Sequence, residues 1–302
     1  MQSSIKPTHP WLKVPFEEYL YLIEAAGYAE KDGKLHPTAA GLLMFGEEPT
    51  IVREFPEYFL DYREMLDPVT RWTDRLVSSS GEWTGNVFDF YFRVYNSLIQ
   101  VLRVPFKMEG GIRIDDTPMH KALREALANC LVNTDYFLPQ AVVIKLYPEK
   151  IVMENPGSVR CGKQQMLRGG ISDPRNKALM KMFNLINIGE RAGSGVPDIF
   201  SIWYNEGLKT PEVLEKYGPD RTILVLSLEK AISNYNLMDI VSVQEKEVLE
   251  LLEANSQLSY VEIANALSVS RKTISVRIRS LKEKGYIKRI GSDRKGYWKL
   301  SS

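Results

Sequence analysis

The chain has few cysteines and histidines and no long apolar run. It holds two cysteines and three histidines in 302 residues. Cys130 and Cys161 are too few for a disulfide framework, and neither lies in a metal-ligand spacing such as CxxC, so we expect reduced thiols. No run of 18 apolar residues occurs, and the N-terminus MQSSIKPTHPWLK lacks the apolar core of a signal peptide. The sequence therefore predicts a cytoplasmic protein with no membrane partner.

A nucleotide-binding P-loop of the form GxxxxGK[ST] is also absent, which argues against a translocating helicase on this chain. What is present is ordinary for a globular protein, with 44% apolar and 25% charged residues. At this length the chain can hold two or three domains, each with its own core.

Charge is distributed unevenly along the chain. The net charge is +1, but from residue 271 onward there are 11 basic and 2 acidic residues. A basic C-terminal segment on a slightly acidic body predicts a polyanionic partner for that segment.

A helix predicted over Thr117–Tyr136 carries the most informative polar pair. Glu125 and Asn129 are four residues apart, so about 40° separates them around a helix and they project side by side. They lie beside an apolar stripe, where a polar pair needs partners or a ligand. Taken alone, the pair also fits an amphipathic core helix with two half-exposed polar residues, and Cys130 on the same helix fits a core position.

Two strands and a glycine-rich turn follow the helix. AVVIKLY (141–147) and IVMEN (151–155) read as β-branched strands joined by a hairpin. GERAGSG (189–195) precedes a predicted helix, so its backbone N–H groups would point at an anion before the helix N-terminus.

This order of elements resembles the Bergerat or GHKL ATPases, the class of gyrase, MutL and histidine-kinase ATP domains. The motifs EWTGNVFDFYFRV, HKALREALANCLVNTDY, ENPG, DPRNKAL and ERAGSG more closely resemble the bacterial RecG-related or Schlafen-type AAA-like transcriptional regulators. In that family LHPTAAGLLMFGEEP normally follows a separate N-terminal nucleic-acid-binding domain.

The resemblance implies roles for individual residues. Glu125 would polarise the attacking water, as the catalytic residue, and Asn129 would help to hold Mg²⁺ at the phosphates of ATP. Val132 stands where the wider class usually has an acidic residue. Glu154, Asn155 and Gly157 stand where that class has its adenine-binding DxGxG turn.

The adenine turn has an alternative interpretation, because Pro156 replaces its first glycine. A strand that ends in a Pro-Gly turn explains the same residues about equally well. In the following segment Arg175 could contact a phosphate or pair with Asp173. The cofactor-binding residues implied by the resemblance are Asn129, Glu154, Asn155, Gly157, Arg175, Asn176, Gly193 and Gly195.

The remaining central and N-terminal elements follow from periodicity. We expect a helix over PFEEYLYLIEAAGYAEKDG that stops at Gly33, a strand within Phe55–Leu66 and a long helix over Val87–Val104. DPVTRWTDRLVSSSGEWTGN reads as a polar connection, and Thr222–Leu228 as a buried strand that closes the sheet.

The last 60 residues predict three helices and a basic hairpin, a pattern that resembles the winged helix-turn-helix fold. Ser259 and Glu262 have capping-box spacing, and Ser270 caps the third helix. Ile274, Ile278 and Leu281 should face its core. Use of the domain for protein contact is the alternative. The predicted DNA contacts are Lys272 and Ser275 to bases, and Arg271, Arg279, Lys288, Arg294 and Lys295 to phosphates.

The predicted protein is an α+β chain with an N-terminal extension (1–110), a Bergerat (GHKL)-like α/β sandwich (111–230) and a C-terminal winged helix (240–302). We expect a transcriptional regulator that binds double-stranded DNA, with ATP and Mg²⁺ or another ligand in the central domain, and a homodimer as the DNA-binding form. An ATPase linked to DNA processing, or a domain that serves assembly alone, are the alternatives.

Overall fold

The computed structural model describes residues 1–102, 107–109, 112–114, 117–189, 195–231, 242–267, 269–283, 286–290 and 296–300. The chain divides into two compact units, Met1–Ile232 and Ser233–Ser302. No helix within the described ranges has the length and hydropathy that a membrane crossing requires.

The described residues form eleven α-helices and twelve strands. The helices are α1 Phe16–Leu22, α2 Ala39–Phe45, α3 Glu48–Glu54, α4 Val87–Val101, α5 Pro118–Val132, α6 Lys163–Arg168, α7 Lys177–Leu185, α8 Gly195–Asn205, α9 Val243–Ala254, α10 Tyr260–Ala266 and α11 Arg271–Glu283. The strands are β1 Ala26–Tyr28, β2 Leu35–Pro37, β3 Leu60–Glu64, β4 Asp74–Val77, β5 Lys107–Glu109, β6 Ile112–Ile114, β7 Val142–Leu146, β8 Lys150–Pro156, β9 Glu212–Lys216, β10 Arg221–Ser227, β11 Ile287–Ile290 and β12 Tyr297–Leu300.

A mixed six-stranded sheet in the order β4-β3-β7-β8-β10-β9 organises the first unit. Strands β3 and β7 pair in parallel, and the other neighbours are antiparallel. The sheet therefore joins β3 and β4, from the predicted extension, to the strands of the predicted central domain. The strand predicted over Thr222–Leu228 lies inside the sheet between β8 and β9, so the prediction that it closes the sheet is wrong.

Helix α5 is the central helix of this unit and contacts α4, α7, α8 and β8. Its apolar side chains are fully buried, and the thiol of Cys130 is buried with them, as expected for a core cysteine. Burial raises the pKa of that thiol to about 12. At the helix start the backbone N–H of Thr117 donates to Nδ1 of His120. The helix is thus fixed on several sides, and the positions of Glu125 and Asn129 are fixed with it.

The predicted helix that stops at Gly33 is wrong beyond Leu22. Helix α1 ends there, and β1 and β2 form an antiparallel hairpin in its place. Glu24 adopts a left-handed φ of 63°, a conformation that a helix cannot continue. The backbone of α2 approaches closely at Gly41, where a Cβ would lie 1.8 Å from the carbonyl oxygen of Ala25. Tertiary packing has overridden the helical pattern.

The predicted polar connection at residues 67–86 contains an additional strand. Strand β4 pairs with β3, and its Arg75 donates to the buried carboxylate of Asp61, as does Arg63. Asp61 is fully buried, so this edge of the sheet depends on a charge cluster that the sequence pattern did not reveal.

The second unit has three helices followed by the antiparallel pair β11 and β12. Ile274, Ile278 and Leu281 of α11 are completely buried, as predicted. The predicted caps are also present: Glu262 N donates to Ser259 Oγ, and Thr273 N donates to Ser270 Oγ.

Candidate functional site

A cavity of about 140 Å³ lies between the sheet and the helices of the first unit. Its lining is mainly apolar, with a small number of polar groups, which is the usual composition of a small-molecule site. The polar residues that line it are Glu125, Asn129, Asn133, Asn155, Ser158, Arg160, Ser172, Asp173 and Thr222.

The polar pair of α5 faces this cavity. Asn129 Nδ2 donates to Glu125 Oε1 at 3.0 Å, so helical spacing has brought the two side chains together as the sequence predicted. That bond uses Nδ2, so the amide oxygen Oδ1 of Asn129 takes no part in it and has the chemistry to accept a hydrogen bond or to bind a cation. Both residues are half-buried.

Two glycines approach the carboxylate of Glu125. A Cβ on Gly195, the first residue of α8, would lie 2.1 Å from Glu125 Oε1. A Cβ on Gly189 would lie 3.9 Å from Glu125 Oε2. Both ends of the predicted glycine-rich turn therefore lie at this carboxylate, while Gly193 lies outside the described residues.

Asn155, one of the residues that the resemblance assigns to cofactor binding, is a buried residue of β8 that lines the cavity. Its register partner on β10 is Thr222, which lines the same cavity and donates through Oγ1 to the carbonyl of Gly157. Sequence reasoning missed Thr222. Its only signal was the polar start of an otherwise apolar strand, and the pairing partner that makes it relevant is distant along the chain.

Glu154 does not line the cavity, because alternate side chains of a strand point to opposite faces. Its carboxylate accepts from Lys145 and from Arg221, each at 2.7 Å. Burial alone would raise the pKa of Glu154, but those two hydrogen bonds outweigh it and the pKa lies below its usual value. The carboxylate predicted to accept from adenine is instead part of an ion-pair network.

Arg175 and Asn176 connect loops of the first unit. Arg175 pairs with Asp135, not with Asp173, and also donates to the carbonyls of Asn133 and Ser158. Asn176 donates to the carbonyls at positions 132 and 134. Neither residue lines the cavity.

Gly157 explains why Arg175 lies where it does. It has a φ of +98°, and a Cβ there would meet the Arg175 guanidinium at 3.0 Å. The glycine that the resemblance assigns to adenine binding therefore makes room for an arginine.

Arg160 is the cation that lines the cavity among the described residues, and it pairs with Asp173 at 3.0 Å. Cys161 lines the cavity beside it, and Cys130 lines it from α5. The described part of the chain holds no group of three or more His, Cys, Asp or Glu residues arranged to bind a metal.

The predicted DNA contacts of the second unit have separate placements. Arg271, Lys272 and Arg279 are exposed on α11, and Ser275 on that helix is half-buried. Lys288 is exposed on β11. The hairpin of β11 and β12 is the wing of this fold, and Arg294 and Lys295, between those strands in the sequence, lie outside the described residues.

Comparison with known proteins identifies three matched regions. Residues 1–61 match a domain of unknown function (DUF8451), residues 140–223 match the model described as "Putative ATP-dependent DNA helicase recG C-terminal", and residues 243–288 match the winged helix-turn-helix DNA-binding model. No curated protein matches the chain.

A solved structure shares the fold. The crystal structure of the DIP2311 protein from Corynebacterium diphtheriae matches 99% of this chain at a TM-score of 0.60 and 16% identity. This chain spans 62% of the length of DIP2311, and at that identity the likeness shows the fold alone. The chain thus has the architecture of the RecG-related family, in which a RecG C-terminal-like domain precedes a winged helix-turn-helix DNA-binding domain.

Proposed function

We propose that this protein is a DNA-binding transcriptional regulator whose first unit binds a nucleotide that biases the DNA-bound state. The observation that carries the DNA-binding part is the winged helix with the exposed cations Arg271, Lys272 and Arg279 on α11. In this fold such a helix enters the major groove, and cations beside it contact phosphates.

Duplex binding measured against salt tests this part. Fluorescence anisotropy with a random 30-base-pair duplex should show affinity that falls steeply as salt rises, because phosphate contacts release counterions. The double variant Arg271→Ala/Arg279→Ala should weaken binding and flatten that dependence. Binding that ignores both salt and the two substitutions would favour a winged helix used for protein contact.

The proposed nucleotide is ATP with Mg²⁺, in the cavity next to Glu125 and Asn129. Carboxylate and amide oxygens are ligands that Mg²⁺ accepts, and Mg²⁺ usually needs only one or two protein ligands besides phosphates and water. Among the described residues that line the cavity the cation is Arg160, which is already paired with Asp173, so Mg²⁺ would supply positive charge there. Asn129 would hold the metal through Oδ1, while Asn155 and Thr222 would hydrogen-bond the base.

Hydrolysis is the alternative within this proposal and would make the protein an ATPase linked to DNA processing. Glu125 would then act as the base that polarises water, with Asn129 holding the carboxylate through its 3.0 Å hydrogen bond. Turnover that disappears in Glu125→Ala, while binding persists, would support this role. Unchanged turnover in that variant would show that Glu125 is not the base.

We also propose a homodimer as the DNA-binding form, because one winged helix contacts a single half-site. Sedimentation on a duplex should give two chains per duplex. A monomer both free and on DNA would contradict it. A chain with no nucleotide binding at all would instead favour a first unit that serves assembly alone.

A further inference from the structure

The outward stripe of α11 contains an apolar residue between its cations. Ile274, Ile278 and Leu281 are buried on one side of the helix. On the opposite side lie Lys272, Val276 and Arg279 at spacings of four and three residues, which is a single stripe along a helix. All three are exposed, and 59% of the surface of Val276 is accessible.

An exposed valine is unfavourable for helix formation at this place. Its β-branched side chain loses rotamer freedom in a helix, so Lys and Arg are better helix formers. Burial in the hydrophobic core of the second unit does not offset that loss, because the core faces the other side of α11. A methyl-bearing surface between two cations is instead suited to a ligand that offers both phosphates and an apolar group.

We propose that Val276 contacts the C5-methyl group of a thymine in the major groove and so determines part of the DNA sequence preference. The inference rests on the proposed DNA-binding function and adds to it a specific residue and base. Thymine alone among the four bases presents a methyl group in the major groove, and apolar side chains recognise it by contact. Lys272 lies one turn earlier, about 6 Å along the helix, and reads an adjacent base pair.

Val261 gives a matched comparison within the same unit. It is an exposed valine, 50% accessible, on α10 rather than on the stripe of α11. In helix-turn-helix proteins the helix before the recognition helix crosses the DNA backbone and does not read base edges. Val261→Ala therefore removes the same atoms from a position that is expected to be neutral for sequence preference.

The experiment begins with selection of preferred duplexes from a random pool by the full chain at fixed salt. Each thymine of the selected site is then replaced by uracil, which differs only by the missing methyl group. For the wild type, one replacement should weaken binding about fourfold, the effect of one buried methyl-sized group. Val276→Ala should bind the thymine duplex more weakly than the wild type by a similar factor, and replacement of that thymine by uracil should not weaken its binding further. Val261→Ala should bind the thymine and uracil duplexes with the same fourfold difference as the wild type.

Three results would overturn the inference. If the pool yields no preferred duplex and no binding, the proposed DNA-binding function fails and this inference fails with it. If the protein binds selected DNA but no single thymine-to-uracil change alters the affinity, only the inference fails. If replacement of thymine by uracil weakens the binding of Val276→Ala as much as it weakens that of the wild type, a different residue contacts the methyl group. The wild-type measurements do not depend on how any variant folds.

Discussion

The two units of this protein use their cations differently. Near the cavity of the first unit, Arg160 is paired with Asp173 and Arg175 with Asp135. Among the described residues of the second unit, Arg271, Lys272 and Arg279 of α11 take part in no ion pair. Arg160 and Arg175 thus hold loops of the first unit together, whereas these three cations of α11 remain available to a polyanion. Cation number alone does not locate a binding surface, because pairing decides which charges are available.

The largest effect should come from breaking the buried charge cluster of the first unit. Asp61→Asn removes the charge shared by Arg63 and Arg75 while it preserves the shape of the side chain. Loss of one partner from a buried pair leaves the others uncompensated, so we expect about 3 kcal/mol of destabilisation. Calorimetric unfolding should show this as a drop of roughly 10 °C for the first unit.

The control for that variant is Glu57→Gln, an exposed carboxylate on the same unit. It should unfold within about 1 °C of the wild type, since isolated surface charges contribute little. Equal melting temperatures for Asp61→Asn and Glu57→Gln would show that the cluster does not stabilise the sheet edge.

Neutralising a cation of α11 should leave stability unchanged and alter recognition. Lys272→Ala should reduce the difference in binding free energy between a selected duplex and random DNA by about 1 to 3 kcal/mol, because base contacts discriminate between sequences by that amount. Lys246→Ala, an exposed lysine of α9, is the matched control. A selectivity ratio that is the same in both variants would remove Lys272 from the base-reading residues.

The cavity should bind a nucleotide with Mg²⁺ although Arg160, the cation that lines it among the described residues, is paired with Asp173. At ten times the dissociation constant, ATP with Mg²⁺ should stabilise the first unit by about 1.4 kcal/mol. Asn129→Ala should abolish the shift, whereas Asn96→Ala, an exposed asparagine of α4, should retain it. No shift in the wild type at millimolar ATP would contradict the nucleotide proposal.

Substitution of the wing residues Arg294 and Lys295 should have a smaller effect on DNA binding. Arg294→Ala and Lys295→Ala should weaken binding to all duplexes alike, and each should reduce the slope of log affinity against log salt by about 0.9. Titrations at several salt concentrations measure this. If affinity and slope are unchanged, the wing does not contact the backbone.

The smallest of these effects should be the loss of stability of the first unit at low pH. The pKa of Asp61 lies below its usual value, because hydrogen bonds from Arg75 and Arg63 outweigh the opposing effect of burial, and the pKa of Glu154 is lowered by Lys145 and Arg221. The stability these carboxylates contribute is present above the unfolded pKa, near 4, and is lost as pH falls through the folded values. Unfolding measured at pH 5, 4 and 3 should therefore show that the first unit loses stability as the pH falls, and that this loss is smaller in Asp61→Asn. An equal loss of stability in that variant would show that other groups cause it.

Local patterns predicted those parts of the protein that local interactions determine. Ser259, Glu262 and Ser270 cap helices through residues three positions away, and those caps are present in the structure. Glu125 and Asn129 meet because four residues complete about one helical turn. The sequence therefore predicted the winged helix and the polar pair on α5.

Contacts between distant residues decided the rest. Glu154 accepts from Arg221, 67 positions away, and Arg175 donates to groups about 40 positions earlier. Thr222 reaches the cavity only because β10 pairs with β8 in a register that places it opposite Asn155. Periodicity and spacing carry no information about which charges or strands will meet, since that depends on how the whole first unit packs. The sequence by itself determined the polar pair of α5, the caps of α10 and α11 and the basic character of α11. Tertiary packing decided where α1 ends, which polar side chains line the cavity and which serve as internal ion pairs.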